Sequence, residues 1–145
     1  IKKYKNIKEF VDSPYVTYFS EKDYYGQYYL TDLMLCTTYT DSDFIGKNSY
    51  FSYEGNTRDI ICINEGKEYE FVTSLAPSRS IMKTETFSKE LLLDVIEKFK
   101  VNKDLNNYLR LGKSFYSNDM FNYLSNVHGL EKNDISIKLI KQIEI

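Results

Sequence analysis

The hydrophobic pattern of this chain changes its period near Thr86, and this change limits the folds that it can adopt. From Tyr15 to Leu75 the chain is rich in Tyr, Thr, Ile, Val and Phe, which fit the pleated surface of a sheet. After Thr86, apolar residues recur every three or four positions and would share one helix face: Leu92, Val95, Ile96 and Phe99. Strand patterns followed by helix patterns predict an α+β fold.

Within residues 15–75 we predict an antiparallel meander of about five strands. The predicted strands span residues 15–20, 27–38, 48–54, 58–64 and 67–75. The clearest turns between them are Glu54-Gly55-Asn56 and Asn64-Glu65-Gly66-Lys67, because Gly supplies a positive φ angle and Asn tolerates one.

About three helices are predicted within residues 87–127. The first spans about 87–101, the second is capped by Asn102 and ends at Gly112, and the third is capped by Ser117. A short helix before Pro14 is predicted at the N-terminal end, and the alternating pattern of residues 134–145 predicts a final strand. Because neither a repeat nor a linker interrupts the chain, we expect residues 1–145 to form one domain.

Residues suited to catalysis or metal binding are scarce. The chain has one histidine, His128, and two cysteines, Cys36 and Cys62, each inside an apolar run. A structural zinc site would lack ligands, and buried thiols are inert, so we predict no metal and no cofactor. Reduced thiols favour a cytoplasmic protein. The apolar runs are far shorter than the roughly 20 residues that span a bilayer, so no membrane segment is expected.

Two short segments suggest a nuclease as an alternative. Gly26–Leu30 and Phe44–Lys47 resemble the paired tripeptides of GIY-YIG nucleases, in which two adjacent strands carry the catalytic tyrosines. Gln27 replaces an apolar residue of that motif, and Phe44 lacks the hydroxyl. A second nuclease interpretation uses Asp59 with Glu65-Gly66-Lys67, since restriction-type enzymes hold a metal with carboxylates and position water with a lysine. A small metal-dependent nuclease or phosphodiesterase is one alternative function, and a structural subunit of a larger assembly is another.

The charge distribution favours a binding function. Residues 21–70 carry ten acidic and four basic residues, whereas the whole chain has a net charge of −2. Carboxylates steer basic partners and tyrosines supply contact area, while a nucleic acid would be repelled. We therefore predict a non-catalytic inhibitor, such as an immunity or antitoxin protein or a phage-encoded inhibitor, that occludes a basic toxin or nuclease. The same carboxylates would also serve solubility and blunt exposed strand edges. The predicted partner-binding residues are Asp41, Asp43, Tyr50, Tyr53, Glu54 and Asp59.

Overall fold

A computed structural model describes residues 6–127 and divides their strands between two sheets. The strands are β1 (Tyr15–Thr17), β2 (Tyr24–Tyr25), β3 (Phe44–Gly46), β4 (Tyr50–Glu54), β5 (Asp59–Ile63), β6 (Glu70–Phe71), β7 (Ser80–Lys83), β8 (Phe115–Ser117) and β9 (Tyr123–Ser125). The α-helices are α1 (Tyr29–Leu35), α2 (Leu92–Val101) and α3 (Asn106–Arg110). Short 3-10 helices span Ile7–Glu9, Cys36–Thr38, Pro77–Arg79 and Thr84–Phe87.

The two sheets are mostly antiparallel, and among the described strands the chain passes between them five times. The first sheet has the order β1-β7-β3-β8-β6 and the second has the order β2-β9-β4-β5. Two of these passages run side by side, one from β3 to β4 and the other from β8 to β9. Accordingly, β3 is parallel to β8 in the first sheet, and β4 is parallel to β9 in the second. We call the two connecting segments, residues 47–49 and 118–122, the junction.

The first sheet is covered on both faces. Successive residues of a strand face opposite sides, so Phe44 and Ile45 contribute to different cores. Phe44 lies in a core with residues of α2 and α3, which include Val95 and Tyr108. Ile45 lies in a second core with α1 and the second sheet. The fold therefore has three layers, with the first sheet in the middle.

The helix prediction for residues 87–101 is confirmed in its main part by α2. Its inward residues Leu92, Val95 and Phe99 are buried, as the period predicts. Asn102 does not begin the next helix; instead it ends α2 in the left-handed region at φ 51°. Asparagine tolerates this conformation better than most residues.

The strand predicted at residues 27–38 is wrong, since residues 29–38 form α1 and the 3-10 helix that follows it. Tyr29, Leu33 and Cys36 are spaced by four and three residues, and all three are buried in the second core. The β-forming composition of this segment was misleading because tertiary packing overrides intrinsic propensity. Residues 26–28 therefore lead into a helix, and β3 pairs with β7 and β8, so the two GIY-YIG-like segments do not form one hairpin.

The predicted meander is also only partly correct. The hairpin of β4 and β5 is present, but β6 is two residues long and pairs with β8 in the other sheet. The third predicted helix is wrong, since β9 lies there, flanked by Asn122 and Asn126 at φ 64° each. The N-terminal helix is a single 3-10 turn at Ile7–Glu9. The predicted strand at 134–145 lies outside the described residues.

Candidate functional site

The six predicted binding residues do not form one surface. Asp41 and Asp43 precede β3 of the first sheet, whereas Glu54 and Asp59 close the β4–β5 hairpin of the second. Asp41 forms an ion pair with Lys83, with 2.6 Å between Oδ1 and Nζ. Asp43 accepts a hydrogen bond from the backbone nitrogen of Ser114 at 2.9 Å. These two carboxylates thus stabilise the fold itself.

The two predicted tyrosines also differ in their environment. Tyr50 packs into the second core, and the guanidinium carbon of Arg79 lies 4.2 Å from its ring centroid. Tyr53 is half-buried and faces away from Glu54, because neighbours along a strand face opposite sides. Tyr50 is therefore held in place by packing within the fold.

Glu54 and Asp59 are the predicted residues that the structure does bring together. They are directly opposite each other in the register of β4 and β5. Neither forms an ion pair with a Lys or Arg of residues 6–127, although Glu54 accepts a hydrogen bond from the backbone of Asn56. Like charges directly opposite in a sheet are destabilising, so this pair costs free energy in the isolated chain.

The junction contains a second polar arrangement, which the sequence analysis did not identify. Half of the ten buried polar or charged residues in the described chain lie in it: Lys47, Asn48, Ser49, Asn118 and Asn122. The glycine at position 46, just before the junction, lets β3 lie close to residues 79 and 80. A Cβ atom at Gly46 would lie 2.3 Å from the Ser80 hydroxyl and 2.5 Å from the Arg79 carbonyl oxygen.

Lys47 is completely buried and joins the two segments of the junction. Its ammonium donates to Asn118 Oδ1 at 3.0 Å, to the Asp119 carbonyl at 2.9 Å and to Asp119 Oδ1 at 3.0 Å. Three N–H donors thus meet three acceptors. Burial lowers the pKa of Lys47, while the Asp119 carboxylate opposes this shift. A fully hydrogen-bonded ammonium is suited to holding the two segments together rather than to nucleophilic attack.

Asp32 extends this polar arrangement toward α1. Asn122 donates its side-chain N–H to Asp32 Oδ2 at 3.0 Å, and the wholly buried Asn122 Oδ1 has no hydrogen-bond partner among the described residues. Burial raises the pKa of Asp32, and the nearby Asp119 carboxylate raises it further. Asn118 also donates to the sulfur of Cys36 at 3.1 Å, which connects the junction with the end of α1.

Four aromatic side chains lie beside this end of α1, at the edge of the first sheet. We call them the edge cluster: Tyr39, Tyr69, Phe71 and Tyr116. The centre of the Tyr116 ring is 5.4 Å from that of Phe71 and 6.0 Å from that of Tyr39. Tyr39, Tyr69 and Phe71 are 58%, 58% and 68% exposed, which is unusual for three neighbouring aromatic residues. The register of β6 with β8, which brings Phe71 next to Tyr116, was not apparent from the sequence.

A cavity of about 540 Å³ beside α2 and α3 is a weaker candidate. Its central polar groups already bind each other: Tyr108 donates to Glu90 at 2.7 Å, and Lys98 contacts both residues. Residues 6–127 contain no group of three or more acidic, histidine or cysteine side chains arranged to hold a metal. Within the same residues, none of the helices combines the length and apolar character needed to cross a membrane.

Comparison with known proteins adds no further assignment. No family model, curated protein or solved structure matches this chain.

Proposed function

We propose that this protein is a small non-catalytic binding protein that inhibits a basic protein partner by occluding its active site. An immunity protein, an antitoxin or a phage-encoded inhibitor works in this way. The observation that carries the proposal is the pair of facing carboxylates, Glu54 and Asp59, at the tip of the β4–β5 hairpin. Both cysteines are free thiols, which supports a cytoplasmic site of action.

The hairpin tip has an electrostatic reason to bind a cation. Like charges opposite each other across a sheet cost about 0.2–1 kcal/mol relative to a neutral pair. A Lys or Arg side chain from a partner would replace this repulsion with two attractive contacts, and carboxylates at an interface rim also accelerate encounter with a basic protein. The binding free energy would therefore include relief of a cost that the free protein bears.

The edge position of the hairpin supports the same proposal. β5 is the last strand of the second sheet among the described residues, so one side of its backbone is not paired within that sheet. Ile61, in the middle of β5, is 42% exposed. An apolar side chain next to two carboxylates that form no ion pair within residues 6–127 gives the mixed character of a protein-binding surface.

The proposal is tested by comparing the wild-type protein with two variants of equal charge. The hairpin variant is Glu54→Gln with Asp59→Asn, and the control is Asp94→Asn with Glu97→Gln on the exposed face of α2. A partner protein captured from the host is identified and purified. The affinity of the wild-type protein and of each variant for this partner is then measured, together with the partner's own activity in the presence of each. We expect equimolar wild-type protein to inhibit the partner.

The expected differences follow from surface electrostatics. Removing both hairpin charges should weaken affinity by about 2- to 30-fold, since each exposed ion pair contributes up to about 1 kcal/mol. The control should bind like the wild type, and higher salt should weaken wild-type binding. Equal affinity of the two variants, or an acidic partner, would refute the proposal. So would nucleic-acid hydrolysis by the purified protein with magnesium that disappears in Asp59→Ala.

A further inference from the structure

The edge cluster is a second surface with a definite chemical preference. Phe71 and Tyr39 both contact the ring of Tyr116 nearly edge-on, with interplanar angles of 83° and 74°. Phe71 and Tyr39 are 68% and 58% exposed, so much of the surface of each ring is open to solvent. Among residues 6–127, the cations that lie over aromatic rings do so at Tyr29, Tyr50 and Tyr108, and none lies over a ring of the edge cluster.

Tyr69 is held at this surface by an unusual backbone. Its φ angle is 54°, in the left-handed region, which is rare for a bulky residue and costs about 1–2 kcal/mol. Tyr69 is nonetheless 58% exposed, so burial of its ring within the chain does not compensate this cost in full. Strained residues of this kind are concentrated at ligand-binding sites.

Carboxylates surround the edge cluster on its junction side. Glu68 directly precedes Tyr69 and accepts a hydrogen bond from the backbone nitrogen of Met120 at 3.2 Å. Asp32 is linked to Tyr39 through Asn118, whose side-chain amide donates to the Asp32 carbonyl at 3.2 Å and to Cys36 Sγ at 3.1 Å, and Cys36 Sγ lies 2.9 Å from the Tyr39 hydroxyl. Consistent with these positions, burial raises the pKa of Tyr69 and the charges of Asp119, Glu68 and Asp32 raise it further. The ammonium of Lys47 neutralises Asp119, and the nearby Lys67 lies 3.7 Å from Glu70. Asp32 and Glu68 thus leave a negative potential beside exposed aromatic faces.

We propose that the edge cluster binds an arginine side chain of a protein partner, with the guanidinium against the aromatic rings and near the carboxylates of Glu68 and Asp32. A guanidinium is planar and weakly hydrated, so it stacks on aromatic rings more readily than an ammonium does. An apolar ligand would leave the carboxylates without a role, and a phosphate would be repelled by them. The site is separate from the hairpin tip, and it requires of the partner only an exposed arginine.

The test uses three short peptides that differ in one residue. The probe is acetyl-Gly-Gly-Arg-Gly-Gly-amide; citrulline, a neutral isostere, replaces Arg in the second peptide, and Lys replaces it in the third. Binding to the protein is followed by NMR titration. We expect the δ-methylene protons of the arginine to shift upfield, because ring currents act on groups above an aromatic face. The lysine peptide should bind more weakly, and the citrulline peptide should not show the shift.

Two variants locate the site. Phe71→Leu keeps an apolar side chain but removes the ring, and it should weaken binding of the arginine peptide by about 2- to 5-fold, the range of an exposed cation–π contact. Tyr28→Leu changes an aromatic residue that is 50% exposed at the start of α1 and should have no effect. If Phe71→Leu alters the fold, as judged by its amide spectrum, Tyr69→Leu replaces it with the same expectation.

Each outcome bears on one proposal separately. Equal binding of the citrulline peptide, or a Phe71→Leu variant that binds like the wild type, overturns the arginine site. Loss of the arginine shift in Glu54→Gln with Asp59→Asn but not in Phe71→Leu also overturns it and leaves the inhibitor function standing. Arginine binding at the edge cluster by a protein that fails to inhibit its captured partner supports the site and refutes the inhibitor function.

Discussion

Replacing Lys47 with methionine should destabilise the protein strongly. Methionine keeps most of the aliphatic volume but removes the ammonium that contacts Asn118 and Asp119. Breaking a buried ion pair by removing one partner costs about 3–5 kcal/mol, because the remaining charge is left without compensation. The Asp119 side chain keeps 15% of its exposure, so water reaches the carboxylate and the loss should lie near the lower value of about 3 kcal/mol.

The chain contains a matched control for this substitution. Lys83 binds the carbonyl and the Oδ1 of Asp41, just as Lys47 binds the same two atoms of Asp119. The Asp41 side chain is 98% exposed, however. Lys83→Met should therefore cost less than about 1 kcal/mol, as exposed ion pairs do. The difference between the two variants measures the effect of burial on otherwise similar contacts.

The assay is urea unfolding at neutral pH, with thermal unfolding as a second measure. A loss of about 3 kcal/mol should lower Tm by about 10–15 °C in a chain of this size. Adding Asp119→Asn to Lys47→Met should recover part of the loss, because the two residues are coupled and the uncompensated charge is removed. The reasoning would be refuted by equal costs for the two lysine variants, or by additive costs in the double variant.

Two other substitutions test the junction and its charges. Gly46→Ala should cost about 1–3 kcal/mol or more by calorimetry, since its Cβ would overlap the Ser80 hydroxyl. Gly55→Ala should be nearly neutral, because a Cβ atom there would have no other atom of the described residues within 4 Å, apart from its neighbours in the chain. Burial and the Asp119 carboxylate raise the pKa of Asp32 above its ordinary value of 3.8, so ionisation of Asp32 destabilises the folded protein. This destabilisation is absent at a pH below the pKa of Asp32 in the unfolded chain, and it is complete at a pH above the pKa of Asp32 in the folded protein. Asp32→Asn should therefore raise the urea midpoint at pH 7 and leave it unchanged at pH 3, and a gain of equal size at both values would contradict the assignment.

The sequence supported the fold class but not the topology, for reasons visible in two segments. In residues 92–101 the buried residues Leu92, Val95 and Phe99 recur every three or four positions, and charged residues fill most of the positions between them, which indicates a helix. In α1, by contrast, Leu30, Met34 and Leu35 are apolar yet 40%, 41% and 56% exposed. These residues hide the spacing of Tyr29, Leu33 and Cys36, which was the signal for a helix.

The candidate sites show the same division between local and long-range information. A hairpin is formed by residues close in sequence, so the position of Glu54 and Asp59 opposite each other could be expected from the turn between them. Lys47 meets Asp119 only because strands distant in sequence are parallel neighbours, β3 with β8 in the first sheet and β4 with β9 in the second. Local pattern contains no information on such pairings, so neither the junction nor the edge cluster could be predicted.

The buried position of Lys47 also bears on the charge available for binding. The carboxylate of Asp119 accepts a hydrogen bond from Lys47 and also acts on the phenol of Tyr69. A well-packed apolar pair at these two positions could be as stable as the ion pair or more so, which means that stability alone does not explain why charges are there. If Lys47 were absent, the carboxylate of Asp119 would be costly to bury. If Asp119 were absent, the positive charge of Lys47 would offset the negative charge of Asp32 at the edge cluster. The pair thus holds the two sheets together while leaving the field at the edge cluster negative.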